Sequence, residues 1–277
     1  MPRLERGAGI PLGVLPALTV VVVLFGGAIV GLVFDSLRPG RIIGAPIDIG
    51  AWRSIVTDGH FHDAMAFTIV VAGVSTIISV ILALSIGASL QGRPAWLRAA
   101  MTSAVPMPHL VAASLAVTWL APGGLAERIV GALPFTIVGD RHGLGVIVVY
   151  TFKETPFLLV LILAAWDQHT RDSQEAATCL GASPWQTFRD IVMARLARPL
   201  SAGALVVAAF TLGATEVPLL VGPTRPDTVA TYALTTVRTN GPAARADAAA
   251  ALLVVTAMTL VLGAVAALSQ RRIGRRI

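Results

Sequence analysis

The chain has 277 residues, 55% of them apolar and only 13% charged, with a mean hydropathy of +0.78; a soluble domain needs about 25% charged residues to cover its surface, so a water-facing globule is excluded, and so is a disordered chain, which would be poor in apolar residues. The formal net charge of +6 does not indicate nucleic-acid binding, because every basic residue except Lys153 is an arginine scattered between apolar runs rather than part of a basic stripe. A single cysteine, Cys179, excludes an intrachain disulfide and any multi-cysteine metal site.

A helix that crosses a bilayer needs about 20 mostly apolar residues. Six stretches qualify: 12–34, 64–90, 99–120, 144–166, 200–221 and 248–268. The first is too long for the apolar core of a signal peptide and lacks a small-residue cleavage site, so it reads as a retained helix; its Gly27 and Gly31 have the spacing of a helix-packing step. In the outer segment before the second span, His60 and His62 are two residues apart, a spacing that could hold a metal but reads first as a solvated loop. Six spans put both termini on one side. With the termini inside, the inner segments hold twelve arginines and the outer ones eight, and the run Arg271, Arg272, Arg275, Arg276 abuts the last span. Both termini are therefore expected in the cytoplasm, and 167–199 becomes the longest cytoplasmic segment.

That segment contains two helix starts. Asp172 and Glu175 have the spacing of a capping box. The helix then runs through Ala176, Ala177 and Leu180, and Gly181 suits the left-handed residue that ends it. Ser183 can cap a second helix with Pro184 at its first position and Gln186 at N3; it continues through Phe188, Ile191 and Leu196 until Pro199 opens the next span. A plain connector is usually short, whereas this one has about 30 residues and two caps.

These residues carry a resemblance. Glu175-Ala176-Ala177, three residues, Gly181, nine residues, then Ile191 and Met193 are similar to the loop signature of ABC-importer permease subunits, the binding-protein-dependent transport inner-membrane components. The family pattern ends in Ile-x-Leu-Pro, from which Met193 and Ala194 depart. Pro156-Phe157 and Gly181-Ala182-Ser183-Pro184 also resemble the family, as do six spans with this loop between the fourth and fifth. The resemblance implies an all-α membrane protein, one permease domain over 1–277, in a bacterial inner membrane. It implies that the loop forms a coupling helix in a groove of an ATP-hydrolysing subunit, with Glu175, Ala176, Ala177, Gly181, Ser183, Pro184 and Ile191 as the coupling residues. It also implies a second permease subunit, identical or homologous, and an extracytoplasmic solute-binding protein. The stretch Leu212–Pro223 looks more like the permeases for polyamines, thiamine and ferric iron than those for sugars.

The chain is not expected to be an enzyme or to bind a cofactor. A phosphate-binding P-loop needs Gly-Lys followed by Ser or Thr, but Lys153 stands between Phe152 and Glu154. ATP and Mg²⁺ therefore belong to a partner chain. No His-Glu-x-x-His motif or nucleophile elbow is present, so no metal site or catalytic residue is assigned.

Three charges fall inside spans: Lys153 and Glu154 in the middle of the fourth and Glu216 near the outer end of the fifth. Neighbouring helical residues point about 100° apart, so Lys153 and Glu154 each want another partner. Lys153 and Glu216 differ in depth by only ~6 Å. Two readings stay open: a structural ion pair that locks two helices, or a polar substrate path, with Pro156 and Pro218 loosening the helices around it. The rival from another class is an ion-coupled secondary transporter that uses these charges as its relay. Paired broken helices in internal repeats would support it, and the sequence shows no convincing repeat.

Overall fold

A computed structural model describes residues 12–38, 46–131 and 134–273, and every regular element among them is helical. The basic residues at 3, 6, 41, 275 and 276, counted above for orientation, lie outside the described residues. Six helical runs are long and apolar enough to cross a membrane. In chain order the elements are α1 (Leu15–Leu37), α2 (Gly50–Thr57), α3 (Gly59–Ser89), α4 (Ala95–Thr102), α5 (His109–Leu120), α6 (Leu125–Val130), α7 (Leu144–Ala165), α8 (Gln168–Cys179), α9 (Pro184–Gly213), α10 (Glu216–Val221), α11 (Val229–Asn240) and α12 (Arg245–Ile273).

The central helix is α7. It packs on α3 and α9, and on the shorter α5 and α10. Small residues let the backbones approach, as membrane helices commonly require. Ala83 is fully buried on α3. A Cβ placed on Gly87 would lie 2.7 Å from Ile162 Cγ2, and one on Gly203 of α9 would collide with Leu161 Cδ1 and come within 2.9 Å of Leu158 Cδ2. Two apolar clusters flank α7. One joins Val71, Ala113, Val149 and Val217, and the other joins Leu158, Ile162, Val192 and Leu196. A third, around Ile55, Phe61, Val229 and Ala250, ties α2, α3, α11 and α12 together. Among the described residues nothing lies within 4 Å of a Cβ position on Gly27 or Gly31, so no side chain fills the space that the two glycines leave.

Four expected boundaries move, each for a local reason. The stretch 99–120 is two helices, because Pro106 and Pro108 disfavour helical geometry at Val105 and Met107. The fifth span starts at Pro184 and runs unbroken through Pro199 to Gly213, so the expected second short helix is the inner end of the span itself. It stops at Ala214, which is extended (φ −74°, ψ 140°), and Pro218 four residues on has no N–H for the Ala214 carbonyl. The expected outer loop between 221 and 248 contains α11, capped by Thr228 and buried through Val229, Ala230, Tyr232 and Ala233. Pro156, by contrast, sits inside an unbroken α7.

Candidate functional site

The polar segment after α7 is built by hydrogen bonds readable one residue at a time. Asp167 is extended and caps α8, accepting from the Thr170 N–H at 2.9 Å and the Thr170 hydroxyl at 2.8 Å. Those two bonds hold its carboxyl below the usual range, because they favour the charged form. The cap therefore lies five residues before the expected Asp172, which sits mid-helix and accepts from Gln168 Nε2 at 2.7 Å. At the other end the Ala182 N–H reaches the Ala177 carbonyl and the Gly181 N–H reaches Thr178, both at 3.0 Å. This is the double-bonded glycine terminus known as the Schellman motif. Gly181 has φ +85°, the left-handed conformation its residue type permits at no steric cost.

Three residues on, a reciprocal capping box opens α9: Gln186 Oε1 accepts from the Ser183 N–H at 2.8 Å, and Ser183 Oγ accepts from the Gln186 N–H at 3.3 Å. The segment is fastened to the membrane helices by Trp166 Nε1 donating to Gln174 Oε1 at 2.8 Å and Arg171 Nη1 donating to Gln91 Oε1 at 3.3 Å. Glu175, Ala176, Gly181, Ser183 and Pro184 are exposed, while Ala177 and Ile191 are half-buried. Glu175 also edges a cleft of about 560 Å³ with Thr178, Cys179, Ala182 and Pro184. Two residues that the sequence reading missed stand out. Leu180 is 89% exposed and Trp185 is 66% exposed, its ring stacked on Phe188 at 5.9 Å. Leu180 reads as an ordinary helix-end apolar residue until the glycine turn is seen to lift it into the open.

Of the two readings of the membrane charges, the Lys153–Glu216 pair is not formed. Lys153 and Glu154 are each only 6% exposed. The Lys153 ammonium donates to the Val105 carbonyl at 2.9 Å, and no ion pair joins it to Glu216. The reason is the break in the third span. In a continuous helix the Val105 carbonyl would accept from the His109 N–H; the extended Pro108 removes that donor, and Lys153 supplies another. Glu154 meets His109 Nε2 at 2.6 Å. The His109 ring lies against Phe210 with centroids 4.4 Å apart. Glu216, half-buried, begins α10 and accepts from the Thr215 N–H at 3.2 Å. Tyr150 is fully buried beside this group, its hydroxyl without a hydrogen-bond partner. His109 was missed from sequence; the signal that could have found it is a histidine directly after Pro106-Met107-Pro108 in an apolar span.

At the opposite end of α3 from the polar loop, His60 Nε2 meets Asp227 Oδ1 at 2.8 Å and the Tyr232 hydroxyl donates to Asp58 Oδ2 at 2.7 Å. Burial pushes the Asp227 carboxyl up, only partly offset by His60, whereas bonds from Tyr232 and the His60 N–H outweigh burial and hold Asp58 low. His60 is thus engaged with a carboxylate and His62 is exposed, so the two do not converge. Among the described residues no three His, Cys, Asp or Glu side chains gather as a metal site. Next to this latch lies a cleft of about 720 Å³ lined by His60, Asp63, Arg141, His142 and Arg225.

The arrangement has known counterparts. The model of the family described as binding-protein-dependent transport system inner membrane component matches residues 75–277. The inner membrane ABC transporter permease protein YnjC of Escherichia coli (strain K12) is 26% identical over 209 residues, covering 73% of this chain and 40% of that protein. YdcU, another inner membrane ABC transporter permease protein of the same organism, is 33% identical over 104 residues, covering 36% of this chain and 33% of that one. The chain thus spans less than half the length of either relative. In fold, it superposes with a TM-score of 0.72 on a chain from the crystal structure of a bacterial alginate ABC transporter in complex with an alginate pentasaccharide-bound periplasmic protein; the identity is 19%, and 94% of this chain and 93% of that chain are covered. Matched by the family model over most of its length and folded as a bundle of membrane-crossing helices, the chain belongs to the binding-protein-dependent transport system inner membrane components, the permease family of ABC transporters.

Proposed function

We propose that this chain is the membrane subunit of an ATP-driven importer, moving a small polar or charged solute delivered by an extracytoplasmic binding protein. It works as one permease domain beside a second permease copy or homologue, in a bacterial inner membrane with both termini inside. ATP and Mg²⁺ are handled by partner ATPase subunits, so the energy comes from nucleotide rather than an ion gradient. The ATPase docks on the segment around α8, against Glu175, Ala176, Ala177, Gly181, Ser183, Pro184 and Ile191, with Leu180 and Trp185 as apolar anchors.

The observation that carries this reading is mechanical. A helix capped at both ends by Asp167 and Gly181 is bonded through Gln174 to Trp166 at the end of α7 and through Arg171 to Gln91 just past α3, and it continues across one turn into the unbroken α9. A push on α8 is therefore delivered to α9, whose far end is the break at Ala214, beside Glu216. Lys153, Glu154 and Glu216 cluster where that break faces the break in the third span, and they line the solute path in this reading.

Cys179 tests it without mutation, since it is the sole cysteine and is exposed beside Gly181. A membrane-impermeant maleimide should label it only from the cytoplasmic side, and the ATPase subunit should protect it. Labelling of Cys179 from outside in intact cells would overturn the docking and the orientation together.

A further inference from the structure

The polar group between the two helix breaks is left incomplete in its hydrogen bonding. Its only fixed cation, Lys153, is already committed to the Val105 carbonyl. Glu154 meets His109 Nε2 and Glu216 accepts from the backbone N–H of Thr215, and among the described residues neither carboxylate has another partner. Two carboxylates thus share the locality with one lysine whose ammonium is already bonded to a backbone carbonyl. Tyr150 makes the gap more specific. Its ring is fully buried, its hydroxyl has no partner, and it lies within reach of the charges of both Glu216 and Glu154. A buried hydroxyl with nothing to bond needs an explanation, and an occupant that this chain does not itself supply is one.

Resting on the path reading above, we propose that Tyr150, Glu154 and Glu216 form a transit site for a single monovalent positive group, the ammonium end of a cationic solute. The donor set is all oxygen: two carboxylates and a phenol. It suits an ammonium or an alkali ion rather than a soft transition metal. The Lys153 ammonium, one residue from Glu154 and held by a backbone carbonyl freed at the break, shows that the locality already accommodates a primary ammonium. His109, packed against Phe210, keeps Glu154 oriented toward the group and acts as a positioning residue.

The test uses the full chain in lipid nanodiscs, its thermal unfolding followed in methylammonium chloride, sodium chloride and N-methylglucamine phosphate against N-methylglucamine chloride at equal ionic strength. Methylammonium is expected to raise the midpoint saturably. Glu216→Gln should weaken its apparent affinity by about tenfold or more, since a charge-assisted hydrogen bond is lost. Tyr150→Phe removes only a hydroxyl without a partner and so should fold at least as well, yet respond several-fold more weakly. A sodium response matching methylammonium assigns the site to an inorganic cation and overturns the solute assignment. A flat response to both cations, a saturable phosphate response, or an unchanged methylammonium affinity in Tyr150→Phe overturns the site. The path reading is read separately: Glu216→Gln should slow binding-protein-stimulated ATP hydrolysis in the reconstituted transporter, and doing so without any cation response would retain the path while rejecting this occupant.

Discussion

Replacing Gly181 separates a contact from a strain. Its φ of +85° costs a residue with a Cβ about 1–2 kcal/mol. Yet none of the described residues lies within 4 Å of the Cβ position, so no steric clash with them is added. Against a stability of about 5–15 kcal/mol, that strain is survivable. Gly181→Ala and Gly181→Leu should therefore both insert and fold, with similar small losses in thermal midpoint. Gly181→Asn should lose less, because asparagine tolerates the left-handed region.

The partner decides what happens next. If an ATPase surface closes on the turn, side-chain size matters more than φ. Gly181→Leu then loses an interface anchor position at a cost of at least about 2 kcal/mol, roughly thirtyfold in association. Gly181→Ala is intermediate, and Gly181→Asn is impaired despite its relaxed backbone. Co-purification with the ATPase and hydrolysis in nanodiscs would rank the three. If Asn behaves as wild type while Ala and Leu are equally weakened, strain alone explains the loss. A Gly181→Leu subunit that associates and hydrolyses ATP normally would refute the docking role altogether.

Gly203→Leu should reduce folded yield in size-exclusion profiles by overpacking against Leu158 and Leu161, a cost of about 1–3 kcal/mol, whereas Gly27→Leu should leave the isolated subunit unchanged. Lys153→Met strands the Val105 carbonyl at about 1–3 kcal/mol, and adding Glu216→Gln should not restore yield, because the two residues are not paired; recovery in the double variant would contradict the Lys153–Val105 bond. The low-lying carboxyl of Asp167 implies that its cap is fully formed above the ordinary aspartate pKa of about 3.9 and weakens as pH falls through its depressed value. Hydrogen exchange at the start of α8, corrected for intrinsic rate, should accelerate over that acid window in the wild type. Asp167→Asn still caps but cannot titrate, so a wild-type-like acid response in that variant would assign the effect elsewhere.

How much of this was legible in the sequence depends on how local the cause is. Composition and six apolar runs establish an all-α membrane protein, and Ser183-Pro184-Trp185-Gln186 and Gly181 specify their caps through bonds no longer than three to five residues. Asp167 was passed over for Asp172 because both sit ahead of good helix formers, and only the end of α7 at Trp166 shows which is the first residue free to cap. The pairing of Lys153 with Glu216, one of the two readings of the membrane charges, fails for a different reason. Depth arithmetic assumes continuous helices, and it puts Lys153 and Glu216 only ~6 Å apart in depth. Both neighbouring spans are interrupted by prolines whose effect on hydropathy is slight: Pro106 and Pro108 sit among Val105 and Met107, and Pro218 follows Val217. The interruption creates the backbone carbonyl that Lys153 takes, and it puts Glu216 on a new helix start instead of on the flank of a long one. The same prolines that hid the geometry thus set it. In a bilayer a broken helix survives only where other groups satisfy its freed backbone atoms or where it lines a polar cavity. Here Lys153 does the first. The unpaired Tyr150 hydroxyl and the half-buried Glu216, left over on the side where the two breaks meet, are the features to expect if that meeting place also does the second.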